Sequence, residues 1–369
     1  MKQLFSIITF LFLVVAESSA LSRNEQVWQN HADKMGLALK NFINEAENCN
    51  MRVNSILVIQ HGKLLAESRA DGQSAETAVD QGEMSSTIAA IAIGLAVEEG
   101  LLKVDDKVIS FFPDKLPTLP SEKLKDMTVG NLLTMTTGHE QNLSFDEGTD
   151  WVYEFLSQPV PYKPGTYFCY ERMAGYMLSA ILQRVSGEKL IDFLRPRLFE
   201  PLGILSAKWK ESPQGINTGG WGLQVTTQDM ARIGIILLNE GEWNGKRIVP
   251  KKWIKQMMRY QTESCPREIP FKNIVQSGLY DYENDWIQGF GYQMWHSRLQ
   301  EFVRAEDNRG KLLLVMPKYD AVVAIDMESK DVQTELNLAF HHISPALPEW
   351  RGKKEKRYRT DTTPHLHRM

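Results

Sequence analysis

The spacing of apolar residues predicts a helix followed by a β-hairpin in the first part of the chain. Apolar positions recur at helical intervals from Asn24 to Glu47, which predicts an amphipathic helix. Its inner side is expected to carry Val27, Ala38, Leu39, Phe42 and Ile43. The apolar run Ser55 to Gln60 and the segment Lys63 to Glu67 flank His61-Gly62, a pattern that indicates two strands joined by a tight turn.

A second helix is predicted from Ser86 to Glu99, and its pattern differs from that of the first. Apolar residues occupy the positions i, i+3, i+4 and i+7 from Ile88 and also most of the remaining faces. A helix that is apolar nearly all round is expected to be buried. Gly100 fits the position after its last turn, where glycine readily adopts the left-handed conformation.

The later part of the chain predicts helices first and strands afterwards. The expected helices are Leu178 to Val185, Leu190 to Leu194, Thr227 to Glu240 and Asp331 to His341. The expected strands are Glu301 to Arg304, Lys311 to Met316 and Ala321 to Met327. Because strands occur near both ends, the sequence predicts an α/β (α+β) fold. In it, one antiparallel sheet built from both chain ends is flanked by helices and carries a mostly helical insertion.

The N-terminus has the features of a secretory signal peptide. Lys2 gives a positive start, Leu4 to Val15 is apolar, and small residues precede an expected cleavage after Ala20. The apolar run is shorter than the ~20 residues that a spanning helix needs, and no later segment qualifies, so no transmembrane segment is predicted. The expected location is periplasmic or secreted. The predicted division is 1–20 signal peptide, 21–50 N-terminal helix, 51–346 main domain and 347–369 basic, disordered tail.

Composition narrows the set of partners. The formal net charge of -4 argues against nucleic acid as a partner. Three cysteines, Cys49, Cys169 and Cys265, lie far apart, so one pair could bridge in an oxidising compartment, but the sequence does not select the pair. No spacing of the cysteines resembles a zinc site, and neither a metal nor a cofactor is predicted. The oligomeric state stays open.

Five blocks of sequence follow one another in a characteristic order. They are IAIGLAVEEGLLKVDDKVISFFPDKLP (Ile91 to Pro117), LKDMTVGNLLTMTTGH (Leu124 to His139), the segment Pro164 to Ile204, the segment Gly219 to Pro250, and LLLVMPKYDAVVAI (Leu312 to Ile325). This series resembles the serine β-lactamase and penicillin-binding-protein superfamily, in particular the class C β-lactamase-related serine hydrolases. The resemblance implies a β-lactamase/transpeptidase-like fold.

The resemblance also implies where the catalytic elements should lie. In the family, a Ser-x-x-Lys turn opens the buried helix and supplies the nucleophile and its base. Counting back from Ile93-Gly94 places the nucleophile position on Glu83 and the lysine position on Ser86, within Glu83-Met84-Ser85-Ser86. Neither Ser85 nor Ser86 has a lysine three residues later. The other match, Ser186 to Lys189, falls in a turn between helices and is interpreted as coincidence.

The other two family elements are altered. Tyr170 stands at the tyrosine position, but Glu171 follows it in place of the family pattern. The strand triplet of the family corresponds to Ala305-Glu306-Asp307, which contains neither a lysine or histidine nor a glycine. The resemblance further implies that Trp221 lines the pocket wall. The predicted ligand-binding residues are therefore Glu171, Trp221, Glu306 and Asp307.

These replacements predict a catalytically inactive family member that acts as a binding module for a small-molecule or cell-envelope ligand. Losing a nucleophile or its base costs a serine hydrolase roughly 10⁶ in turnover. The alternative is an active esterase, amidase or peptidase with a rearranged site. Because acids replace the basic and small residues of the family, the altered cleft is expected to favour cationic groups over penicillin-like anions.

Overall fold

Strands from both ends of the chain form one six-stranded antiparallel sheet, which confirms the predicted architecture. The structure, a computed structural model, describes residues 23–264, 284–299 and 302–348. The strand order in the main sheet is β2-β1-β11-β10-β9-β8. Its strands are β1 (Arg52–Gln60), β2 (Lys63–Arg69), β8 (Trp295–His296), β9 (Val303–Asp307), β10 (Lys311–Met316) and β11 (Ala321–Glu328). The N-terminal hairpin therefore pairs with the C-terminal one through β1 and β11.

Helices cover both faces of the sheet. On one face lie the N-terminal helix α1 (Arg23–Asn48) and the last helix α11 (Val332–Leu338). On the other face lies α9 (Thr227–Leu238), which packs against β10 and β11. The predicted inner side of α1 is confirmed at Ala38, Leu39 and Phe42, which are buried. Val27 was placed wrongly, because its side chain is 47% exposed.

The insertion between β2 and β8 is mostly helical, as predicted. Its helices are α2 (Ser85–Glu98), α3 (Glu122–Asp126), α4 (Val129–Leu133), α5 (Trp151–Ser157), α6 (Arg172–Ser186), α7 (Leu190–Leu194), α8 (Glu200–Leu202), α9 and α10 (Lys251–Met258). Its short strands are β3 (Val79–Asp80), β4 (Lys208–Trp209), β5 (Leu223–Val225), β6 (Glu242–Trp243) and β7 (Lys246–Arg247). The helix expected to be apolar all round is α2, and every residue from Ser85 to Ala96 is buried. Gly100 follows its end with φ +74°.

Some predicted boundaries were wrong. The helix expected from Leu178 begins six residues earlier at Arg172, and the strand expected to end at Arg304 continues to Asp307. In both cases the predicted boundary stopped at polar residues that lie inside the element, Arg172 in α6 and Glu306 in β9. The closing helix ends at Leu338 and continues as a wider π turn, Ala339–Ile343. The predicted signal peptide, the tail from residue 349, Glu301 and Cys265 lie outside the described residues.

The structure gives the state of two of the three cysteines and tests the described helices for a membrane span. Cys49 and Cys169 are free thiols, so they do not pair with each other. Burial, aided by Glu171, raises the pKa of the Cys169 thiol to about 11, which keeps it protonated and unreactive at neutral pH. None of the described helices is both long enough and apolar enough to cross a bilayer.

A close backbone contact between α6 and the loop before β5 holds the segment that carries Trp221. Gly220 lies so near α6 that a Cβ built on it would sit 2.1 Å from the Arg172 carbonyl oxygen. From the other side, a Cβ on Gly175 would sit 2.5 Å from the Gly220 Cα. Since both obstacles are backbone atoms, neither can rotate away. The two glycines therefore fix the distance between Arg172 and Trp221.

Replacing Gly175 by alanine is expected to destabilise the protein by about 1–3 kcal/mol, the usual cost of overpacking. Urea denaturation measures the change in the free energy of unfolding. The matched control is Gly36→Ala in the exposed part of α1, where a Cβ meets nothing within 4 Å. That change should be neutral or stabilise by up to about 1 kcal/mol, because alanine favours the helix. Equal stability of the two variants contradicts the packing argument.

Candidate functional site

The positions of the three family elements meet at the N-terminal end of α2. A short 3₁₀ turn, Gly82–Met84, precedes the helix and lies against β9. Tyr170 stands just before α6, and Asp307 is the last residue of β9. Glu83, Tyr170, Arg172 and Trp221 are partly exposed. We refer to these four side chains as the cleft cluster.

The serines at the start of α2 are committed to backbone contacts. Ser85 is fully buried, and its Oγ donates to the Gly82 carbonyl at 2.6 Å and accepts from the Leu223 amide at 3.1 Å. Ser86 donates to the Glu83 carbonyl at 2.9 Å. A serine nucleophile needs an adjacent base, and neither hydroxyl contacts a lysine or histidine within the described part of the chain. Their geometry is that of helix-start residues.

The remaining Ser-x-x-Lys sequence lies away from this site. Ser186 ends α6 and donates to the Leu182 carbonyl at 2.7 Å. Lys189 forms an exposed ion pair with Glu211 at 2.7 Å. Because the lysine is turned to Glu211 rather than to the serine, the spacing has no catalytic geometry. This agrees with its interpretation as coincidence.

Tyr170 is held between an aromatic ring and the start of α2. Its ring stacks on Trp295 with centroids 5.3 Å apart, and its hydroxyl lies near the Ser86 side chain. Burial raises the pKa of the Tyr170 phenol well above its ordinary value, and the carboxylate of Glu83 raises it further. The phenol therefore stays protonated near neutral pH. It can donate a hydrogen bond but is a poor general base.

Asp307 occupies the space beside the amide of the nucleophile position. Its Oδ2 accepts from the Glu83 backbone N–H at 3.2 Å, and the aspartate side chain is buried. Arg309 neutralises it, since the Arg309 amide donates to Oδ1 at 2.8 Å and its guanidinium Nε to the same oxygen at 3.2 Å. In serine hydrolases, the nucleophile's own amide commonly helps to bind the oxyanion. Here that amide already bonds to a fixed carboxylate.

Asp307 and Gly82 fit together closely. A Cβ on Gly82 would lie 1.7 Å from the Asp307 Oδ2, and Gly82 has φ +53°. Glycine is therefore required for two reasons, namely the left-handed backbone and the adjacent carboxylate. Asp80 also supports the turn, because its Oδ1 accepts from the Gly82 amide at 2.9 Å.

Glu83 is the acid of the site that lacks a close partner. Among the described residues, no side chain donates a hydrogen bond to its carboxylate or forms an ion pair with it. Burial raises the pKa of Glu83, the charge of Asp307 raises it further, and the charge of Arg172 opposes the shift. The Arg172 guanidinium instead lies over the Trp221 ring, 5.2 Å from its centroid. The cleft cluster thus combines an unpaired carboxylate with an aromatic wall.

The structure does not bring Glu306 to this cleft. Side chains alternate along β9, so Asp307 faces the α2 side while Glu306 faces the opposite side with its cross-strand neighbour Leu312. There its Oε2 accepts from the Arg304 Nε at 2.5 Å, and both residues are buried. The expectation that Glu306 binds a ligand in the cleft therefore needs correction, because the strand pleat turns it away.

Glu171 is also placed elsewhere than expected. Its carboxylate is fully buried, and Oε2 accepts from Thr137 Oγ1 at 3.1 Å and lies 3.1 Å from His139 Nδ1. His139 packs edge-on against Phe155 with centroids 4.8 Å apart. This interior pair joins the start of α6 to the loop after α4, which is a structural role. The predicted excess of acids in the cleft is accordingly smaller than the sequence suggested.

Two features of the site were missed in the sequence. Trp295, which stacks on Tyr170, lies 125 residues further along the chain, and no spacing pointed to it. Asp80 could have been found, because an Asp two residues before a Gly favours an Asx turn.

A polar pocket of about 440 Å³ also adjoins the site through Asn142, whose Oδ1 accepts from the Arg172 amide at 3.3 Å. The described part of this cleft contains no trio of His, Cys, Asp or Glu side chains close enough to hold a metal.

The fold and the arrangement of these elements define a serine hydrolase scaffold of the β-lactamase and penicillin-binding-protein type. The Beta-lactamase family model matches residues 42–305, and the chain belongs to this family. A Yersinia enterocolitica protein named Beta-lactamase is 22% identical over 260 residues, covering 67% of this chain and 64% of the relative. The Penicillium rubens lovastatin esterase is 25% identical over 153 residues, covering 34% of this chain and 37% of the relative.

Solved structures share the fold at low sequence identity. A penicillin-binding protein homologue from Caulobacter crescentus has a TM-score of 0.64 at 15% identity, covering 84% of this chain and 98% of its own. A simvastatin synthase variant from Aspergillus terreus has a TM-score of 0.64 at 16% identity, covering 88% and 98%. The match to the lovastatin esterase spans about a third of that protein's length, and the match to an Amycolatopsis lactamdurans protein named Penicillin-binding protein 4 spans a similar share.

Proposed function

We propose that this chain is a non-hydrolytic member of the β-lactamase family that binds a cationic ligand through Glu83. The proposal rests on two acids that lie together at the predicted nucleophile position but have different partners. Asp307 accepts from the Glu83 amide and is neutralised by Arg309, whereas the Glu83 carboxylate has no close partner among the described residues. An incoming cation supplies the positive counter-charge that this partly buried carboxylate lacks.

The geometry also argues against acyl transfer at this site. A carboxylate at position 83 that attacked an acyl group would form a labile anhydride rather than a stable ester. The neighbouring serines donate to backbone carbonyls, and the Tyr170 phenol holds its proton. A penicillin-like anion would approach the unpaired carboxylate of Glu83. The Trp221 ring already holds one cation, because the Arg172 guanidinium lies over it.

Covalent labelling tests the absence of hydrolase chemistry. The protein is incubated with a fluorescent penicillin and with a fluorophosphonate, and its intact mass is measured. No adduct is expected, because no hydroxyl at the site is activated. A covalent adduct on any serine would overturn the proposal.

We also propose that the chain is exported, on the basis of the signal-like residues 1–20. The intact mass of protein recovered from its source reports whether these residues have been removed.

Calorimetric titration tests the cation preference. Spermidine is expected to bind and ampicillin to leave no signal, and Glu83→Gln should weaken spermidine binding by roughly tenfold or more, equivalent to about 1.4 kcal/mol. The matched control is Glu98→Gln, which removes the same charge at the exposed far end of α2. As the pH is lowered, Glu83 takes up a proton and spermidine affinity should fall. Because the pKa of Glu83 is raised, this fall should begin at a higher pH than for an ordinary carboxyl. Tight ampicillin binding without a spermidine response contradicts the proposal.

One observation favours a second candidate, an active hydrolase with a rearranged site. A partly buried carboxyl with a raised pKa is also suited to act as a general base toward water. Such an enzyme would turn over esters without forming a serine adduct. Ester hydrolysis that is lost in Glu83→Gln and retained in Glu98→Gln would select this candidate over the binding module.

A further inference from the structure

A cluster of metal-binding side chains lies on the sheet face opposite the cleft. Glu45 comes from the last turns of α1, and His341 and His342 come from the π turn Ala339–Ile343 that follows α11. These two segments pack against each other, and Lys34 of α1 donates to the Pro345 carbonyl at 2.9 Å. Glu45 is separated from the two histidines by almost the whole length of the domain in sequence. Tertiary packing alone brings them together.

The geometry of the three groups suits one ion. His342 Nε2 lies 2.6 Å from Glu45 Oε2, and the two imidazole rings have centroids 4.7 Å apart. One ligand atom from each residue lies within 4.8 Å of the others. Ligands at about 2.0–2.2 Å from a shared ion are roughly 3–4 Å apart, so the separations of up to 4.8 Å must shorten and the 2.6 Å separation between His342 and Glu45 must widen. Glu45 and His341 are exposed and free to rotate.

The π turn explains how two consecutive histidines serve one site. Neighbouring side chains diverge by about 100° in an α-helix, since 3.6 residues complete a turn. A π turn has more residues per turn, so the angle between neighbours is smaller. Single π turns inside helices recur at functional sites. Here the π turn carries both His341 and His342 toward Glu45.

We propose that Glu45, His341 and His342 bind one divalent transition-metal ion of the zinc, nickel or copper type. Two imidazole nitrogens and one carboxylate oxygen suit these ions, whereas calcium and magnesium prefer all-oxygen sites. The remaining coordination positions face solvent and take water. Bound metal links the end of α1 to the segment after α11. Because the site exists only when these segments are packed, metal binding stabilises the folded protein.

Zinc titration of the full chain tests this site. Zinc is expected to raise the melting temperature and magnesium to leave it unchanged. The changes His341→Gln, His342→Gln and Glu45→Gln should each weaken zinc binding by roughly tenfold or more, and the double histidine change should abolish the thermal shift. Melting temperatures measured with a chelator show whether each variant still folds as the parent does. The visible spectrum of bound cobalt gives a second readout of the ligand set.

Control variants separate this site from other ligands in the chain. His31→Gln changes a histidine of α1 several turns before Glu45, and Cys49→Ser removes the exposed thiol one turn after it. The double change His365→Gln with His367→Gln removes the two histidines near the end of the sequence. All three controls should keep the zinc affinity of the parent. Zinc binding that survives His341→Gln with His342→Gln, or that disappears in any control, overturns the proposal.

Discussion

Replacing Arg304 by alanine is expected to destabilise the protein by about 3–5 kcal/mol, the range for breaking a buried ion pair. The Arg304 side chain is fully buried, and its Nε donates to Glu306 Oε2 at 2.5 Å. Its Nη2 also donates to the Asp285 carbonyl at 3.2 Å, and the guanidinium lies 5.5 Å from the centre of the Trp295 ring. Alanine leaves the Glu306 carboxylate buried without a counter-charge. Urea denaturation at pH 7 measures the loss.

An exposed ion pair provides the matched comparison for Arg304. Lys189→Ala removes the partner of Glu211, and both side chains are about 40% exposed, so the expected change is only about 0.2–1 kcal/mol. Removing both buried charges, in Arg304→Met with Glu306→Leu, should recover much of the loss, because no uncompensated charge remains. If Arg304→Ala is no more destabilising than Lys189→Ala, the buried Arg304–Glu306 pair does not stabilise the fold as argued.

The stability of this protein is expected to decrease as pH rises because of Glu335. This residue of α11 is fully buried, and burial raises its pKa from 4.5 to about 7, with a smaller contribution from the charge of Glu306. An acid whose pKa is higher in the folded state stabilises that state below its unfolded pKa. The contribution is lost as pH rises from about 4.5 through 7. The expected loss is about 3 kcal/mol, at 1.36 kcal/mol for each pKa unit.

The change Glu335→Gln isolates this pH effect from the other titrating groups. Glutamine has nearly the same shape but no charge, so the variant should match the parent at pH 4 and exceed it by about 3 kcal/mol at pH 8. Denaturation curves at both pH values give the difference. Glu328→Gln, at the exposed end of β11, is the control and should show no such pH dependence. A difference between Glu335→Gln and the parent that is the same at pH 4 and pH 8 contradicts the assignment.

Charged residues in this protein therefore fall into two groups with different consequences. Arg304, Glu306 and Glu335 lie on the face of the sheet away from the cleft and affect folding stability. Glu83 lies at the cleft and affects what the protein binds. Glu335→Gln should change the free energy of unfolding and leave spermidine affinity unchanged, because Glu335 is not among the charges that shift the pKa of Glu83. Glu83→Gln should lower spermidine affinity, and because the folded protein raises the pKa of Glu83, the change should raise rather than lower the free energy of unfolding at pH 7.

The sequence by itself determined the elements whose evidence is local. Helix α1, the β1–β2 hairpin and buried α2 follow from the period of apolar residues, which reflects the geometry of a single helix or strand. The prediction that Glu83 stands at the family's nucleophile position also rests on sequence, because it is counted back from the run that begins at Ile91. The family and the architecture were predictable for the same reason: their signals extend over many consecutive residues.

Only the tertiary structure decided which acids share the cleft. Asp307 reaches the Glu83 amide from 224 residues away, while Glu306, its neighbour, faces the opposite side of the sheet. Glu171 turns inward to His139, 32 residues before it. Glu45 meets His342 across 297 residues. These contacts depend on how helices and strands pack, and adjacent positions in a strand point to opposite faces. Residue type and spacing identified the acids of this protein, and packing assigned each of them its partner.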